Sequence, residues 1–227
     1  MHLLTRVGVL LLTLAAAAAA QVRDASAETK WRPLFNGKDL SGWTPKIKGY
    51  ALGDNHADTF RVEGGILEVR YDGYEEFGGR FGHLFYERPF SSYRLRVEYR
   101  FVGEQCPGGP GWAFRNSGVM LHGQSAASMG RDQEFPVSIE VQLLGGRAAG
   151  ERPTANLCTP GTHVVLNGEL CKRHCKRTLT VHLNGAIVNE IDLDRPELAK
   201  RPARGAIGFQ DHGLPLALRR IRVRTPR

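Results

Sequence analysis

The chain is 227 residues long and carries 31 lysines and arginines against 23 aspartates and glutamates, a formal net charge of +8 at neutral pH. This length accommodates one domain with a substantial hydrophobic core. The positive charge does not predict a nucleic-acid partner, because no nucleic-acid-binding motif accompanies it. It would suit an anionic polysaccharide or lipid, although a solvated outer face is the more ordinary explanation.

Residues 1–27 have the pattern of a secretory signal peptide. A short segment ending at Arg6 precedes an apolar, alanine-rich run to Ala20, and Ala25-Ser26-Ala27 forms an A-x-A cleavage site. A membrane anchor is the alternative, but the strongly apolar part is shorter than the roughly 20 residues that a spanning helix needs. We therefore expect export to the periplasm or the extracellular space, one mature domain over residues 28–227, and no integral membrane span.

The chain contains four cysteines: Cys106, Cys158, Cys171 and Cys175. In an exported protein an even number of cysteines favours disulfide bonds, and four cysteines allow three pairings. A zinc site is the alternative, since Cys158 and the segment Cys171-x-x-His174-Cys175 supply ligands of the type that zinc prefers. The oxidising compartment favours the disulfide bonds.

The mature chain consists of short strand and turn patterns. Residues 34–43 predict a tight turn pinned by a tryptophan, and residues 44–59 predict a loop. Residues 60–69 predict a hairpin that turns at Glu63-Gly64-Gly65, and residues 93–102 alternate in the manner of a strand.

Residues 178–192 predict a second hairpin, around Asn184-Gly185, and residues 205–210 and 216–223 predict a closing hairpin. No long amphipathic helix is expected after residue 27. Many short alternating strands separated by turns predict an all-β sandwich or jelly roll.

Two segments in the middle of the chain, residues 114–123 and 135–144, contain polar residues of the kinds that take part in proton transfer. In the second segment apolar residues alternate with polar ones, so one face lies in a core. If the two strands belong to one sheet, four polar side chains share a face: Asn116, His122, Glu140 and Gln142. This combination suits proton transfer with a bound polyol, although an ordinary solvated sheet face has the same pattern.

Four segments resemble, in the same order, those of one known family: FNGKDLSGW at residues 35–43, RNSGVMLHG at 115–123, SIEVQLL at 138–144 and GAIGFQDHGLPLALRRIRV at 205–223. The family is the 3-keto-disaccharide hydrolase domain family, also called DUF1080. The resemblance implies a concanavalin-like jelly-roll sandwich of two antiparallel sheets that holds carbohydrate on a concave face.

The resemblance also implies cleavage of glycosidic bonds in 3-keto-glycosides. The C3 ketone acidifies the neighbouring C2–H, so a base can remove that proton, the enolate can expel the C1 substituent, and water can add afterwards. Such a reaction requires a base, a group that stabilises the enolate, and an acid for the leaving oxygen.

Carried over position by position, the resemblance implies Glu140 as the base or a metal ligand and His212 as the acid or a ligand. It implies substrate contacts from six further residues: His83, Arg115, Asn116, His122, Gln142 and Asp211. No cofactor and no oligomeric state are assigned, and a divalent metal is left open. A histidine taken singly more often has a structural role than a catalytic one.

Two other functions are compatible with the same fold. One is a non-catalytic carbohydrate-binding module, and the other is a hydrolase of unoxidised β-glucans. The hydrolase predicts paired carboxylates on one strand, which Val141-Gln142 after Glu140 do not supply. After His174-Cys175 the chain is shorter than the family subgroup it resembles, and loss of a strand there would leave a sheet edge. This shortening favours the binding module.

Overall fold

The computed structural model describes residues 30–147, 150, 152–166, 169–175, 181–183, 186–189 and 204–225, without the side chains of residues 163–175, 181–183 and 186–189. The predicted signal peptide and the shortened segment after Cys175 lie outside the described residues. None of the helical turns in the described part has the length and apolar character needed to cross a membrane.

Nearly all regular structure in this part of the chain is β. The strands are β1 (Arg32–Pro33), β2 (Trp43–Ile47), β3 (Phe60–Glu63), β4 (Ile66–Val69), β5 (Gly82–Tyr86), β6 (Arg94–Phe101), β7 (Asn116–Gly123), β8 (Ile139–Leu144), β9 (Asn156–Leu166), β10 (Glu169–Cys175), β11 (Val181–Leu183), β12 (Ala186–Asn189), β13 (Ala206–Asp211) and β14 (Leu216–Arg224). Three short 3₁₀ turns span His56–Asp58, Gly111–Ala113 and Ala126–Ser128.

The strands form two antiparallel sheets and a separate β11–β12 pair. The seven-stranded sheet has the order β10-β9-β8-β7-β13-β5-β2. In the five-stranded sheet β14 pairs with β1, β4 and β6, and β4 pairs with β3. The predicted all-β, two-sheet jelly-roll architecture is confirmed.

The hydrophobic core lies between the two sheets. Val119, Val141 and Leu157 contribute to it from β7, β8 and β9 of the seven-stranded sheet, and Leu218 and Val223 contribute from β14 of the five-stranded sheet. Because strand side chains alternate, every second residue of β8 points away from this core. This places polar residues on the outward face of the seven-stranded sheet.

The predicted hairpins have mixed outcomes. β3 and β4 form the predicted hairpin, and β11 and β12 form the pair predicted around residues 184–185, which themselves lie outside the described residues. The closing hairpin is wrong, because β13 belongs to the seven-stranded sheet and β14 to the five-stranded sheet. The segment between them therefore passes from one layer to the other.

The predicted loop over residues 44–59 is also corrected, since β2 runs from Trp43 to Ile47. Pro45 argues against a strand in sequence because proline cannot donate to a ladder. β2 is an edge strand of its sheet, where one side needs no donor and proline is tolerated.

Candidate functional site

Glu140 lies on the face of the seven-stranded sheet that is turned away from the five-stranded sheet. Its sequence neighbours Ile139 and Val141 belong to the core, so alternation directs Glu140 to the opposite face. Met120 on β7 and Cys158 on β9 are its direct partners in the ladder. The side chain is buried, and only 6% of the residue is exposed.

The carboxyl group of Glu140 extends over Gly118 on β7. A Cβ atom added to Gly118 would lie 2.7 Å from Cγ and 2.8 Å from Cδ of Glu140, whereas non-bonded carbon atoms prefer roughly 3.5–4.0 Å. Only glycine at position 118 leaves room for the carboxyl group in this place. The carboxyl group therefore reaches from β8 across β7 towards β13.

Further polar residues continue along the same face on the next strands. Phe209 lies in the core, so its neighbour Gln210 points outward from β13. Gln210 lies opposite His83 on β5, and His83 lies opposite Lys46 on β2. We call Glu140, Gln210, His83 and Lys46 the polar row.

Several polar atoms in and beside this row are buried without a partner. Among the described residues, no hydrogen bond reaches Oε1 of Glu140, Oε1 of Gln210, or either ring nitrogen of His83 and His212. Buried polar groups are normally hydrogen-bonded, and each one left without a partner costs about 1–3 kcal/mol. Such a concentration indicates a place where a polar ligand would supply the partners.

Burial shifts the pKa values of these groups in the expected directions. It raises the pKa of Glu140 to about 8, against a smaller lowering by a hydrogen bond with the Cys158 thiol. It lowers the pKa of His212 to about 3. It also holds the pKa of His83 well below its usual value, with the nearby His212 and Lys46 acting in the same direction. At neutral pH both imidazoles are uncharged, and Glu140 is mostly protonated but becomes a strong base when ionised.

The segment between β7 and β8 packs over part of this face. Lys46 donates hydrogen bonds from Nζ to the backbone oxygens of Arg131 (3.0 Å) and Ile47 (3.2 Å). The ring of Phe135 lies 6.2 Å from that of His83 and 5.8 Å from that of His212. The segment therefore encloses both imidazoles, and enclosure strengthens electrostatic interactions by excluding water.

An exposed tryptophan lies beside His212. The ring centroids of Trp112 and His212 are 5.2 Å apart, and Trp112 stacks on Phe81 at 5.6 Å with an interplanar angle of 18°. Trp112 is nevertheless 49% exposed. It presents a flat apolar ring to solvent next to a buried imidazole, which suits contact with the apolar face of a sugar ring.

A surface cavity of about 480 Å³ opens further along the same sheet, lined by residues that include Phe85, Ala126 and Arg204. The Phe85 ring lies 5.9 Å from that of His83. Glu140 is not among the lining residues. The cavity is therefore next to the polar row but does not open onto the carboxyl group.

Two other predicted substrate residues, Asn116 and Gln142, lie on the Glu140 face. Nδ2 of Asn116 donates to the backbone oxygen of Trp112 at 3.2 Å. Oε1 of Gln142 accepts a hydrogen bond from Nδ2 of Asn156 at 3.1 Å. Both side chains are thereby held in place on the outward face.

His122 does not follow the predicted alternation. Its φ is +48°, and the β7–β13 register shifts next to it, which is the mark of a bulge. Its ring lies 5.6 Å from that of Tyr93, which packs against the core. The prediction that His122 shares a face with Glu140 is therefore wrong.

Arg115 and Asp211 also lie away from the polar row. Arg115 packs beside Gly145 and Phe101, and its guanidinium lies 5.2 Å from the Phe114 ring centroid. Asp211 points to the core side, where its Oδ1 accepts a hydrogen bond from the Gly213 N–H. Burial raises the pKa of Asp211 to about 8.

The cysteine prediction is corrected for Cys106, a buried thiol that takes part in no disulfide bond. Cys158 is also buried, and its pairing stays a prediction. Cys106 lies in the loop after β6, where its N–H bonds the Gly213 oxygen, whereas the Cys158 thiol lies against Glu140. The side chains of His174, Cys171 and Cys175, which the disulfide and zinc hypotheses also need, lie outside the described residues.

Within the described residues, no three His, Cys, Asp or Glu side chains converge in a way that could hold a metal ion.

Sequence reasoning missed Gln210, Lys46, Phe135 and Trp112. Gln210 immediately precedes Asp211-His212, and strand alternation could have placed it on the outward face. Trp112 lies in the 3₁₀ turn Gly111–Ala113, which no periodic pattern indicated. Phe135 begins the alternating segment predicted over residues 135–144, but β8 starts only at Ile139, so Phe135 lies on the connection before the strand.

A two-sheet jelly roll with a buried polar row and an adjacent exposed tryptophan defines a carbohydrate-active type of β-sandwich. The chain belongs to the family of 3-keto-alpha-glucoside-1,2-lyase-like domains, whose family model matches residues 30–224. The predicted family is thus confirmed.

A solved structure shows the same fold. A protein of Parabacteroides distasonis ATCC 8503, described as a "putative glycosyl hydrolase", is similar with a TM-score of 0.50 and 16% identity over 87% of this chain and 94% of that one. A second structure of the same description and organism has a TM-score of 0.43 and 18% identity over 87% and 100% of the two chains. A search of curated proteins finds no match.

Proposed function

We propose that the protein cleaves glycosidic bonds of 3-keto-glycosides by proton abstraction, elimination and hydration, with Glu140 as the base. The observation that supports this proposal is the Glu140 carboxyl group, buried over Gly118 with a pKa of about 8. A base of this strength removes a proton next to a ketone more readily than an ordinary carboxylate does.

The proposed reaction balances in three steps. Ionised Glu140 takes the C2 proton, and the electron pair of the C2–H bond moves into the C3 carbonyl to form an enolate. The enolate then restores the ketone, forms a C1=C2 double bond and expels the C1 oxygen, which takes up a proton from solvent. Finally, water enters the site and the proton on Glu140 exchanges with solvent. The hydroxyl of a water molecule then adds to C1, the other proton of that water passes to solvent, and Glu140 protonates C2.

The enolate needs hydrogen-bond donors, and the residues beside Glu140 can provide them. His83 and His212 are uncharged at neutral pH, and a neutral imidazole still donates one N–H. The amide of Gln210 supplies further N–H donors. We assign His212 the role of N–H donor to the enolate or the leaving oxygen, because a pKa of about 3 leaves no additional proton on its ring at neutral pH.

Trp112 is the proposed contact for the apolar face of the sugar. Its stacking on Phe81 fixes the ring orientation, and its position beside His212 places a stacked sugar next to the enclosed imidazoles. Aromatic contacts of this kind contribute binding without participating in proton transfer.

A second candidate function is a carbohydrate-binding module without catalysis. The observation that favours it is the 480 Å³ cavity lined by Phe85, which does not include Glu140. A sugar held there would be bound next to the polar row without contact to the proposed base.

Incubation with 3-keto-disaccharides and their unoxidised parents, with and without chelator, tests the proposal. We expect cleavage of the keto forms alone, and the chelator arm reports whether a divalent metal takes part. Binding of either sugar without turnover would favour the binding module, and cleavage of the unoxidised parents would favour an ordinary glycosidase. Export of the mature domain remains a proposal that N-terminal sequencing of the secreted protein tests.

A further inference from the structure

The outward face of the five-stranded sheet carries an unusual group of arginines on two adjacent strands. We define the arginine face by its members on β6 and β14: Arg94, Arg96, Arg100, Arg219, Arg220, Arg222 and Arg224. Arg94, Arg96, Arg100, Arg219, Arg220 and Arg222 are exposed to solvent. Their alternation partners, such as Leu218 and Val223, lie in the core, so the arginines form one outward surface.

Arginines face each other directly across this pair of strands. Arg96 is the ladder partner of Arg222, and Arg94 is the ladder partner of Arg224. Like charges directly opposite in a sheet are destabilising. Among the described residues, Glu98 accepts hydrogen bonds from Arg219 and Arg220, at 2.8 and 2.9 Å. No ion pair in this part of the chain involves Arg96, Arg100 or Arg222.

The backbone adds a further arginine to this surface. The β6–β14 register shifts between Arg219 and Arg222, and Arg220 has a φ of +50°. This left-handed conformation is unfavourable for a residue with a side chain. Because of the bulge, both Arg219 and Arg220 point outward, with side chains 57% and 59% exposed. Observed backbone strain of this kind is a reason to look for function.

The other half of the same sheet shows the contrasting arrangement. Near β3 and β4, Arg61 pairs with Asp72 at 3.1 Å, and Arg70 pairs with Glu68 and Asp72 at 3.0 Å. Glu63 adds a further carboxylate to this group. Among the described residues, carboxylates thus lie beside Arg61 and Arg70 on one half of the sheet, whereas Arg96, Arg100 and Arg222 on the other half have no carboxylate partner.

We propose that the arginine face binds an acidic polysaccharide through its carboxylate or sulfate groups. Guanidinium groups bind such groups with paired N–H donors. Neighbouring strands are about 4.8 Å apart and outward residues of one strand about 6.8 Å apart. The two arginine pairs therefore form a flat row that suits an extended chain with repeated anionic groups.

An anionic membrane fits this surface less well. Peripheral membrane binding combines basic residues with apolar or aromatic side chains that insert among the lipids. In the described part of the chain the exposed large hydrophobic residues are Leu52, Trp112 and Val137, and none belongs to β6 or β14. Arg96 instead packs its guanidinium 5.0 Å from the centroid of Trp31, which holds it flat against the surface.

The test is the affinity of the full chain for heparin, polygalacturonate and neutral dextran at several salt concentrations. We expect binding to at least one acidic polysaccharide, no binding to dextran, and weaker binding as salt rises. The double variant R96E/R222E should bind roughly tenfold or more weakly. The control R88E/R147E makes the same charge change at exposed arginines outside β6 and β14 and should bind within about twofold of the wild type.

Several results would overturn the proposal. These are absence of binding to both acidic polysaccharides, equal loss in both double variants, or binding only to vesicles of phosphatidylcholine with 30% phosphatidylserine. If R96E/R222E does not fold, the wild-type protein is treated with phenylglyoxal with and without bound polysaccharide. The polysaccharide should protect Arg96 and Arg222 from modification, and absence of protection also overturns the proposal. The outcome is independent of whether the protein cleaves 3-keto-glycosides.

Discussion

Glu140 and Glu98 occupy the outward faces of the two sheets, yet their surroundings are opposite. Glu140 is buried over Gly118, and burial raises its pKa to about 8. Glu98 is half-buried, with 38% of its side chain exposed, and hydrogen bonds, first from Arg220 and then from Arg219, lower its pKa. One face therefore holds neutral, enclosed groups suited to proton transfer, and the other holds permanent charges suited to electrostatic attraction.

The difference arises from what covers each sheet rather than from the strands themselves. The segment between β7 and β8, including Phe135, packs over the outward face of the seven-stranded sheet. β6 and β14 leave their arginines in contact with solvent. The same alternation of strand residues thus produces a low-dielectric site on one side and a hydrated charged surface on the other.

The largest expected effect comes from removing the carboxylate on each face in turn. Glu140→Gln should lower kcat for a 3-keto-disaccharide by roughly 10²- to 10⁴-fold, since it removes the proposed base while preserving shape. Glu98→Gln should leave kcat within about twofold of the wild type, because Glu98 has no proposed part in the reaction. Steady-state kinetics of both variants check this, and similar activities would remove the functional distinction between the two faces.

A methyl group at Gly118 tests the position of the carboxyl group. Gly118→Ala places Cβ within 2.8 Å of Glu140 Cγ and Cδ, so the carboxyl group must move, and we expect kcat to fall by roughly 10²-fold. Gly146→Ala is the matched control, because an added Cβ there meets nothing within 4 Å. Equal kcat values for the two variants would show that the placement of Glu140 over β7 is not important.

The raised pKa of Glu140 also predicts how stability changes with pH. Near pH 4 the carboxyl group is protonated in both the folded and the unfolded chain. Between its usual pKa and about pH 8, only the folded chain keeps the proton. The free energy of unfolding therefore falls as pH rises through this range. Glu140→Gln should therefore be more stable than the wild type at pH 8, on the order of 4 kcal/mol, and nearly equal at pH 4. Urea unfolding at both pH values measures this, and a destabilised variant at pH 8 would contradict the burial of a neutral carboxyl group.

The smallest expected effect concerns sugar binding at the edge of the site. Trp112→Ala should raise KM about fivefold with little change in kcat, because the ring is proposed to contact the sugar without taking part in proton transfer. Val137→Ala is the control, since Val137 is also exposed, at 38%, and has no proposed contact. An unchanged KM for Trp112→Ala, or an equal rise in both variants, would argue against the stacking role.

Sequence alone predicted the architecture and the strand face on which Glu140 lies. Regular alternation around Ile139 and Val141 predicted a half-buried strand and placed Glu140 on its polar face. The same reasoning failed at His122, where a bulge reverses the side-chain direction. It also failed for β13 and β14, because two consecutive strands in different layers have the same pattern as a hairpin.

The other parts of the site depend on contacts between distant segments. Phe135 encloses His83 and His212 only after the β7–β8 segment has packed over the sheet. Lys46 lies on β2, a segment that the sequence predicted as a loop and that contains Pro45. The position of the Glu140 carboxyl group depends on Gly118, and the local sequence does not indicate which side chain occupies the space that this glycine leaves.

The most direct test of the central claim follows the C2 hydrogen of a 3-keto-disaccharide during cleavage in D₂O. The account predicts that the wild-type protein releases a 3-keto sugar carrying deuterium at C2, well above the exchange seen without enzyme, and that Glu140→Gln loses this incorporation together with cleavage. Cleavage with the original C2 hydrogen retained, or equal incorporation by Glu140→Gln, would contradict it.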